Sequence, residues 1–152
     1  MKHVMIAVAV AALSLSACSV DADPSEAVAA IELPTLLNPN LASAEEMRAA
    51  GIAPGVTDAV VANRPFADGV EFARFAQQAG AEDALDVAFI PLPLNSTAEA
   101  DFMLIPGIGE KMAHEIEEYR PYTSMEQFDF EIGKYVGVEE LARIRRYVTL
   151  DD

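Results

Sequence analysis

The stretch Leu104-Ile105-Pro106-Gly107-Ile108-Gly109 contains the strongest local structural signal in the chain. It sets one apolar residue between two glycines, and the segment from Glu110 to Tyr119 that follows carries apolar side chains at helical spacing. Because glycine adopts backbone conformations that a Cβ penalises, this stretch is expected to form a tight turn between two short helices. We expect both Gly107 and Gly109 to supply such conformations.

A related pattern lies 56 residues upstream, where Gly51-Ile52 corresponds to Gly107-Ile108. At the same spacing, Asn63-Arg64-Pro65-Phe66 corresponds to Tyr119-Arg120-Pro121-Tyr122. Nearer the start of each copy we pair Leu37-Asn38 with Leu94-Asn95, which requires a slip of one residue. The chain is therefore predicted to contain one supersecondary unit twice.

Helix-start signals recur in both copies. Ser43-Ala44-Glu45-Glu46 and Ser96-Thr97-Ala98-Glu99 each have the pattern of a capping box, and Asp68 and Ser124 are expected to cap a later helix in each copy. Further helices are predicted over about 55–63, 110–119 and 138–147. The sequence thus predicts an all-α domain over residues 35–150, with five or more short helices in two units, about 37–80 and 94–150.

The stretch 104–109, with Lys111 and Ala113 in the helix after it, resembles the helix-hairpin-helix motif, in which two short helices flank a Gly-apolar-Gly turn. The opening Leu94-Asn95-Ser96-Thr97-Ala98-Glu99 is similar to openings in small extracytoplasmic proteins related to the competence DNA receptor ComEA. The first copy is degenerate, since Ala50 and Ala53 replace the proline and the second glycine. The resemblance implies a compact tandem helix-hairpin-helix domain.

The resemblance also implies a candidate nucleic-acid site in the second hairpin. Gly107, Ile108, Gly109 and Lys111 match the positions that contact the DNA backbone in the family, where turn amides and a helix N-terminus approach a phosphate. The same turn in relatives can hold a monovalent cation, so Pro106, Gly107 and Gly109 are candidate cation ligands. In the first copy, Pro54 removes one amide donor, which disfavours a phosphate site there.

The charge of the chain argues against long-range attraction to DNA. The full chain carries −15; loss of Lys2 with a leader leaves nine lysines and arginines against 25 acidic residues, a net charge of −16. DNA-binding domains usually carry a basic face. The one basic cluster in the sequence is Arg143, Arg145 and Arg146, for which pairing with Glu139 and Glu140 at a helix end is favoured over phosphate or lipid contact. For Arg64 and Arg120, capping of the preceding helix is favoured over ligand contact.

The N-terminus has the pattern of a bacterial lipoprotein signal. A basic start and an apolar stretch precede Leu15-Ser16-Ala17-Cys18, which resembles the lipobox, so residues 1–17 are expected to be removed and Cys18 to be acylated. The alternative is an ordinary secreted protein with an incidental cysteine. Residues 18–34, rich in Ala, Asp, Glu, Ser and Pro, are expected to form a flexible tether. The membrane is then a partner through the lipid, on the periplasmic face or the cell surface.

No catalytic constellation is evident. His114 is the only histidine beyond the leader, with Glu118 as its only partner four residues away, so neither catalysis nor a transition-metal site is expected, and no cofactor is implied. We expect a non-enzymatic, membrane-anchored binding module with weak, non-specific binding of duplex DNA through the second hairpin. The alternative is an acidic lipoprotein that uses the same fold to bind an unidentified protein. A positive patch joining Lys111 to the arginine cluster favours the first function, and an exposed apolar patch favours the second.

Overall fold

Short helices account for most of residues 24–150, the part of the chain that the computed structural model describes. This part contains eight α-helices, named α1 to α8 in chain order: Pro24–Ala29, Ala44–Ala49, Pro54–Asn63, Gly69–Gln78, Glu99–Phe102, Glu110–Glu118, Met125–Ile132 and Val138–Arg145. A 3₁₀ helix spans Glu82–Asp86, and the two-residue strands β1 (Leu92–Pro93) and β2 (Val148–Thr149) pair in parallel. The predicted, mostly helical domain is confirmed, and the short strands are an addition to it.

The helix caps agree with the sequence at three of four positions. Ser43 and Glu46 form the predicted capping box, with the Glu46 N–H donating to Ser43 Oγ and the Ser43 N–H donating to Glu46 Oε2. Asp68 and Ser124 cap α4 and α7 as expected. The capping box expected at Ser96–Glu99 is wrong: Glu99 is the first residue of α5 rather than its third, and its N-cap is Ala98.

Each unit is closed by a parallel pairing between its first and last residues. In the first unit, the Leu37 N–H donates to the Val87 carbonyl and the Phe89 N–H donates to the Leu37 carbonyl, both at 2.9 Å. In the second unit, β1 and β2 pair with Leu92 opposite Val148. Leu37 is therefore equivalent to Leu92, which corrects the pairing of Leu37-Asn38 with Leu94-Asn95.

An asparagine clamp confirms this register. Asn40 Nδ2 donates to the Phe66 carbonyl and the Phe66 N–H donates to Asn40 Oδ1, both at 2.9 Å. Asn95 makes the same two contacts with Tyr122, at 2.9 and 2.7 Å. Matching side chains thus tie the start of each unit to the segment after its second helix.

Arg64 and Arg120 reinforce the same connection. Each stands before a cis-proline, and each guanidinium donates to a carbonyl at the start of its own unit, Ala42 for Arg64 and Thr97 for Arg120. The expectation that these arginines cap the preceding helix is therefore wrong. Each side chain reaches the opening of its own unit instead.

One continuous core joins the two units. Its largest fully buried members are aromatic and include Phe72, Phe89, Phe102, Phe128 and Tyr147. Tyr147, near the end of the second unit, donates its hydroxyl to the Leu85 carbonyl of the first unit at 3.2 Å. Aromatic burial of this kind makes a large contribution to stability, so the two units are expected to fold together.

The segment before the first unit differs from the expected tether. Within residues 18–34, Pro24–Ala29 form α1, which packs on α7 and α8 and leaves Val28 only 4% exposed. Within the apolar run from Ala27 to Ile31, Val28 is buried against the domain and Ile31 packs on the core. Residues 1–23, which include the predicted signal peptide and Cys18, lie outside the described residues. Between residues 24 and 150, no helix has the length and apolarity that a membrane span requires.

Candidate binding site at the second hairpin

The turn between α5 and α6 has the conformation that its first glycine predicts. Gly107 has φ +79°, in the left-handed region where residues with a Cβ are strained. A Cβ at this position would also lie 2.9 Å from Arg143 Nη2. The equivalent Gly51 of the first unit has φ +102°. The first glycine of each turn is therefore required by backbone geometry.

The second glycine and the intervening isoleucine differ from expectation. Gly109 is the N-cap of α6 with φ −99° and ψ 174°, an extended conformation open to any residue, and a Cβ there would meet nothing within 4 Å. The expectation that Gly109 supplies a special conformation is wrong. Ile108 is 6% exposed and its N–H donates to the Ile105 carbonyl at 3.1 Å. Its amide is thus already used inside the turn.

Lys111 and Gly109 lie together at one side of the turn. With Met112, Glu115 and Tyr135 they line an open cleft of about 240 Å³. Lys111 is exposed in the first turn of α6, but Glu115 places a carboxylate in the same cleft. Hydrogen bonds to Tyr119 and then to Glu115 raise the pKa of the Tyr135 hydroxyl. The cleft offers an anion one cation and one competing carboxylate.

The arginine cluster is engaged within the domain. Arg143 binds Glu140 through two hydrogen bonds, Nε to Oε2 at 2.8 Å and Nη2 to Oε1 at 2.7 Å, which lower the pKa of the Glu140 carboxyl. Arg145 pairs with the buried Asp129 at 2.6 Å, and Arg146 donates to the Pro34 carbonyl at 2.7 Å. Pairing of Arg143 with Glu140 was predicted from the sequence. The contact of Arg145 with Asp129 was not, because these residues lie on different helices.

The other side of the turn is acidic. A cleft of about 270 Å³ is lined by Pro106, Gly107 and Ile108. Three acidic residues of the 3₁₀ helix, Glu82, Asp83 and Asp86, line the same cleft. These carboxylates disfavour a phosphate approaching from this side. No group of three or more His, Cys, Asp or Glu side chains among residues 24–150 is arranged to hold a metal ion. A monovalent cation bound by Pro106, Gly107 and Gly109 remains a prediction.

The first hairpin offers less to an anion. Ala53 is the N-cap of α3, without a side-chain hydrogen bond, and Pro54 occupies the first helical position. Because Pro54 has no N–H, this helix N-terminus lacks one of the donors that a phosphate would use.

Exposed aromatic side chains form a patch beside the second hairpin. The hydroxyls of Tyr119 and Tyr135 lie 2.8 Å apart, and the Lys134 ammonium lies 5.1 Å from the Tyr119 ring centre and 4.7 Å from that of Phe130. Phe130 is 56% exposed and Tyr135 is 40% exposed. We name these four residues the aromatic patch. It was not predicted from the sequence, although Phe130 falls on the face of α7 opposite the buried Phe128, a position that a helical projection indicates.

His114 lies at the surface between two carboxylates. Its Nδ1 is 3.6 Å from Glu99 and its Nε2 is 3.9 Å from Glu118, and the side chain is largely exposed. Surface contacts between an exposed imidazole and carboxylates at these distances make a small contribution to stability.

Comparison with known proteins adds no relative: no family model, curated protein or solved structure matches this chain.

Proposed function

We propose that this chain is a membrane-anchored, non-enzymatic binding module, built from two helix-hairpin-helix units and held outside the cytoplasm. Support for the fold comes from the repeated asparagine clamps and from the positive φ of Gly51 and Gly107. Support for the location comes from the lipobox-like sequence that ends at Cys18. Because the proposed module is non-enzymatic, its function depends on the partner that it binds.

The aromatic patch is the observation that favours a protein partner. Tyr and Phe are enriched at the centres of protein interfaces, where they bury much area at a small cost in conformational entropy. Phe130 exposes more than half of its surface although polar residues could occupy the same position on α7. Lys134, stacked on Tyr119 and Phe130, gives the patch a polar rim.

Photo-crosslinking tests this proposal. A photoreactive amino acid at position 130 of the full chain, introduced in the source cells, should yield one discrete protein adduct. The same amino acid at position 41, where Leu41 is 82% exposed and belongs to the first unit, should not yield that adduct. Equal adducts from both positions, or none from position 130, would contradict the proposed interface.

Weak DNA binding is the second candidate, favoured by the open backbone of the second hairpin. Gly107 has the expected turn conformation, Gly109 leaves the N-terminus of α6 uncovered, and Lys111 is exposed beside it. With so few phosphate contacts, a log–log salt slope of roughly −1 to −3 is expected. Lys111→Glu should then remove most of the binding, whereas Lys134→Glu should remove little.

Anchoring has its own test. Cys18→Ala should abolish acylation and shift the chain from the membrane fraction to a soluble extracytoplasmic form or to an uncleaved precursor. Mass spectrometry of the N-terminal peptide would show whether the wild-type chain carries acyl groups. A wholly soluble wild-type chain without acyl mass would overturn the proposed anchor and leave the protein interface untouched.

A further inference from the structure

A groove of about 430 Å³ runs between α1, the segment 31–38, the segment 89–91 and α8. Its lining is mostly apolar and includes Val28, Ile31, Leu36 and Phe89. Arg145 and Arg146 also line the groove. Small-molecule sites in proteins have volumes of about 300–1,000 Å³ and combine apolar walls with a few polar groups. The groove has the dimensions and lining of such a site.

The charge of the groove is opposite to that of the chain. The chain carries −15, yet no Asp or Glu side chain is among the groove-lining residues, all of which belong to the described part. Arg145 is balanced by the buried Asp129 at 2.6 Å. Arg146 instead donates to a neutral acceptor, the Pro34 carbonyl, and stacks on Tyr147.

Arg146 therefore has donors to offer a ligand. A guanidinium has five N–H donors in a planar fork that matches a carboxylate, and the contact with Pro34 uses Nη1 alone. Arg146 Nε is buried, and no group within residues 24–150 accepts a hydrogen bond from it. A guanidinium with unused N–H donors, set among apolar side chains, favours a ligand that has an anionic group and an apolar chain.

We propose that this groove binds a long-chain fatty acid anion, with its carboxylate at Arg146 and its chain along Val28, Ile31 and Phe89. Each methylene buried against these walls adds to the binding free energy, so longer acyl chains should bind more tightly. The proposal does not depend on acylation of Cys18 or on the aromatic patch. Neutral acyl chains, such as those of a lipidated N-terminus, have no anionic group that could form an ion pair with Arg146.

Fluorescence titration of the full chain with dansyl-undecanoate tests the proposal, followed by displacement with palmitate or with uncharged methyl palmitate. Two matched substitutions separate the groove from the rest of the surface. Leu33→Glu places a carboxylate in the groove, and Leu41→Glu makes the same change at an exposed site outside it. Since both leucines are exposed, both variants should fold, which circular dichroism checks.

Leu33→Glu should weaken dansyl-undecanoate binding about tenfold or more because it adds a carboxylate that repels the ligand, and Arg146→Gln should do the same because it removes the attracting guanidinium. Leu41→Glu should stay within about twofold of the unaltered chain. Palmitate should displace the probe, and methyl palmitate should do so much less well. Equal effects of the two leucine substitutions, equal displacement by palmitate and methyl palmitate, or the absence of saturable binding would overturn the proposal.

Discussion

At the scale of single residues, the second hairpin depends on Gly107 and not on Gly109. Only Gly107 has a positive φ, and only there would a Cβ approach the guanidinium of Arg143. Gly109 has an extended conformation with open space around its Cα. The two glycines of the turn therefore have different roles, one conformational and one that leaves the helix N-terminus accessible.

Substituting each glycine by serine separates these roles. Gly107→Ser should lower the free energy of unfolding by about 1–2 kcal/mol, the cost of a left-handed conformation with a Cβ. Gly109→Ser should leave that free energy unchanged or raise it by a few tenths of a kcal/mol, because serine is a favourable N-cap. Urea denaturation of the full chain measures both, and equal losses for the two variants would show that the turn differs from the one described.

The asparagine clamps are the second feature at this scale. Asn95 fixes both backbone polar groups of Tyr122, a residue 27 positions away. The positive φ of Gly107 could be predicted because it follows from a local pattern of glycines. The clamp could not be predicted, because the sequence allows either Asn38 or Asn40 to be equivalent to Asn95. Only the folded structure shows that Asn40 is the equivalent residue.

Removing one clamp should be costly. Asn95→Ala should lower the free energy of unfolding by about 2 kcal/mol, since two half-buried hydrogen bonds are lost at about 1 kcal/mol each and their backbone partners lose the side chain that satisfied them. Asn63→Ala, at an exposed position on α3, should change it by less than about 0.5 kcal/mol. Thermal or urea unfolding of the full chain compares the two, and a similar small effect for both would remove the clamp from the description of the unit.

At the scale of elements, the helices with strong local sequence signals were predicted, and helix α1, which lacks such signals, was not. Helices α3, α6 and α8 were located within a residue or two, since apolar spacing and prolines mark them. Helix α1 lies in a polar, proline-containing segment that is typical of a tether, and its packing depends on contacts with α7 and α8 more than 90 residues away. Such contacts leave little trace in local sequence.

A charge at Val28 tests whether α1 belongs to the domain. Val28→Asp buries a carboxylate against α7 and α8 and should cost about 2 kcal/mol or more, enough to release α1 from the surface. Ala30→Asp, at an exposed position two residues later, should have little effect. Hydrogen exchange over residues 24–31 should accelerate strongly in the first variant only, and equally fast exchange in the unaltered chain would show that this segment is a tether after all.

At the scale of the whole molecule, the use of basic residues distinguishes the two candidate functions. Of the three arginines near the end of the chain, Arg143 pairs with Glu140 and Arg145 pairs with Asp129, which offsets their charge, whereas Arg146 donates to the Pro34 carbonyl. The turn of the second hairpin faces carboxylates on one side. The sequence predicted the acidic total, but the distribution of charge depends on contacts between helices that no local pattern reveals.

Titration of labelled duplex DNA with the full chain, followed by fluorescence anisotropy at about 50 mM salt, tests the central claim most directly, because electrostatic attraction is strong under this condition. A module that binds a protein through the aromatic patch should give no change in anisotropy up to concentrations of about 100 µM, where non-specific DNA-binding proteins with Kd values of roughly 1–100 µM are already bound. Saturable binding that weakens with salt and is lost in Lys111→Glu would contradict the claim and establish the second hairpin as a DNA site.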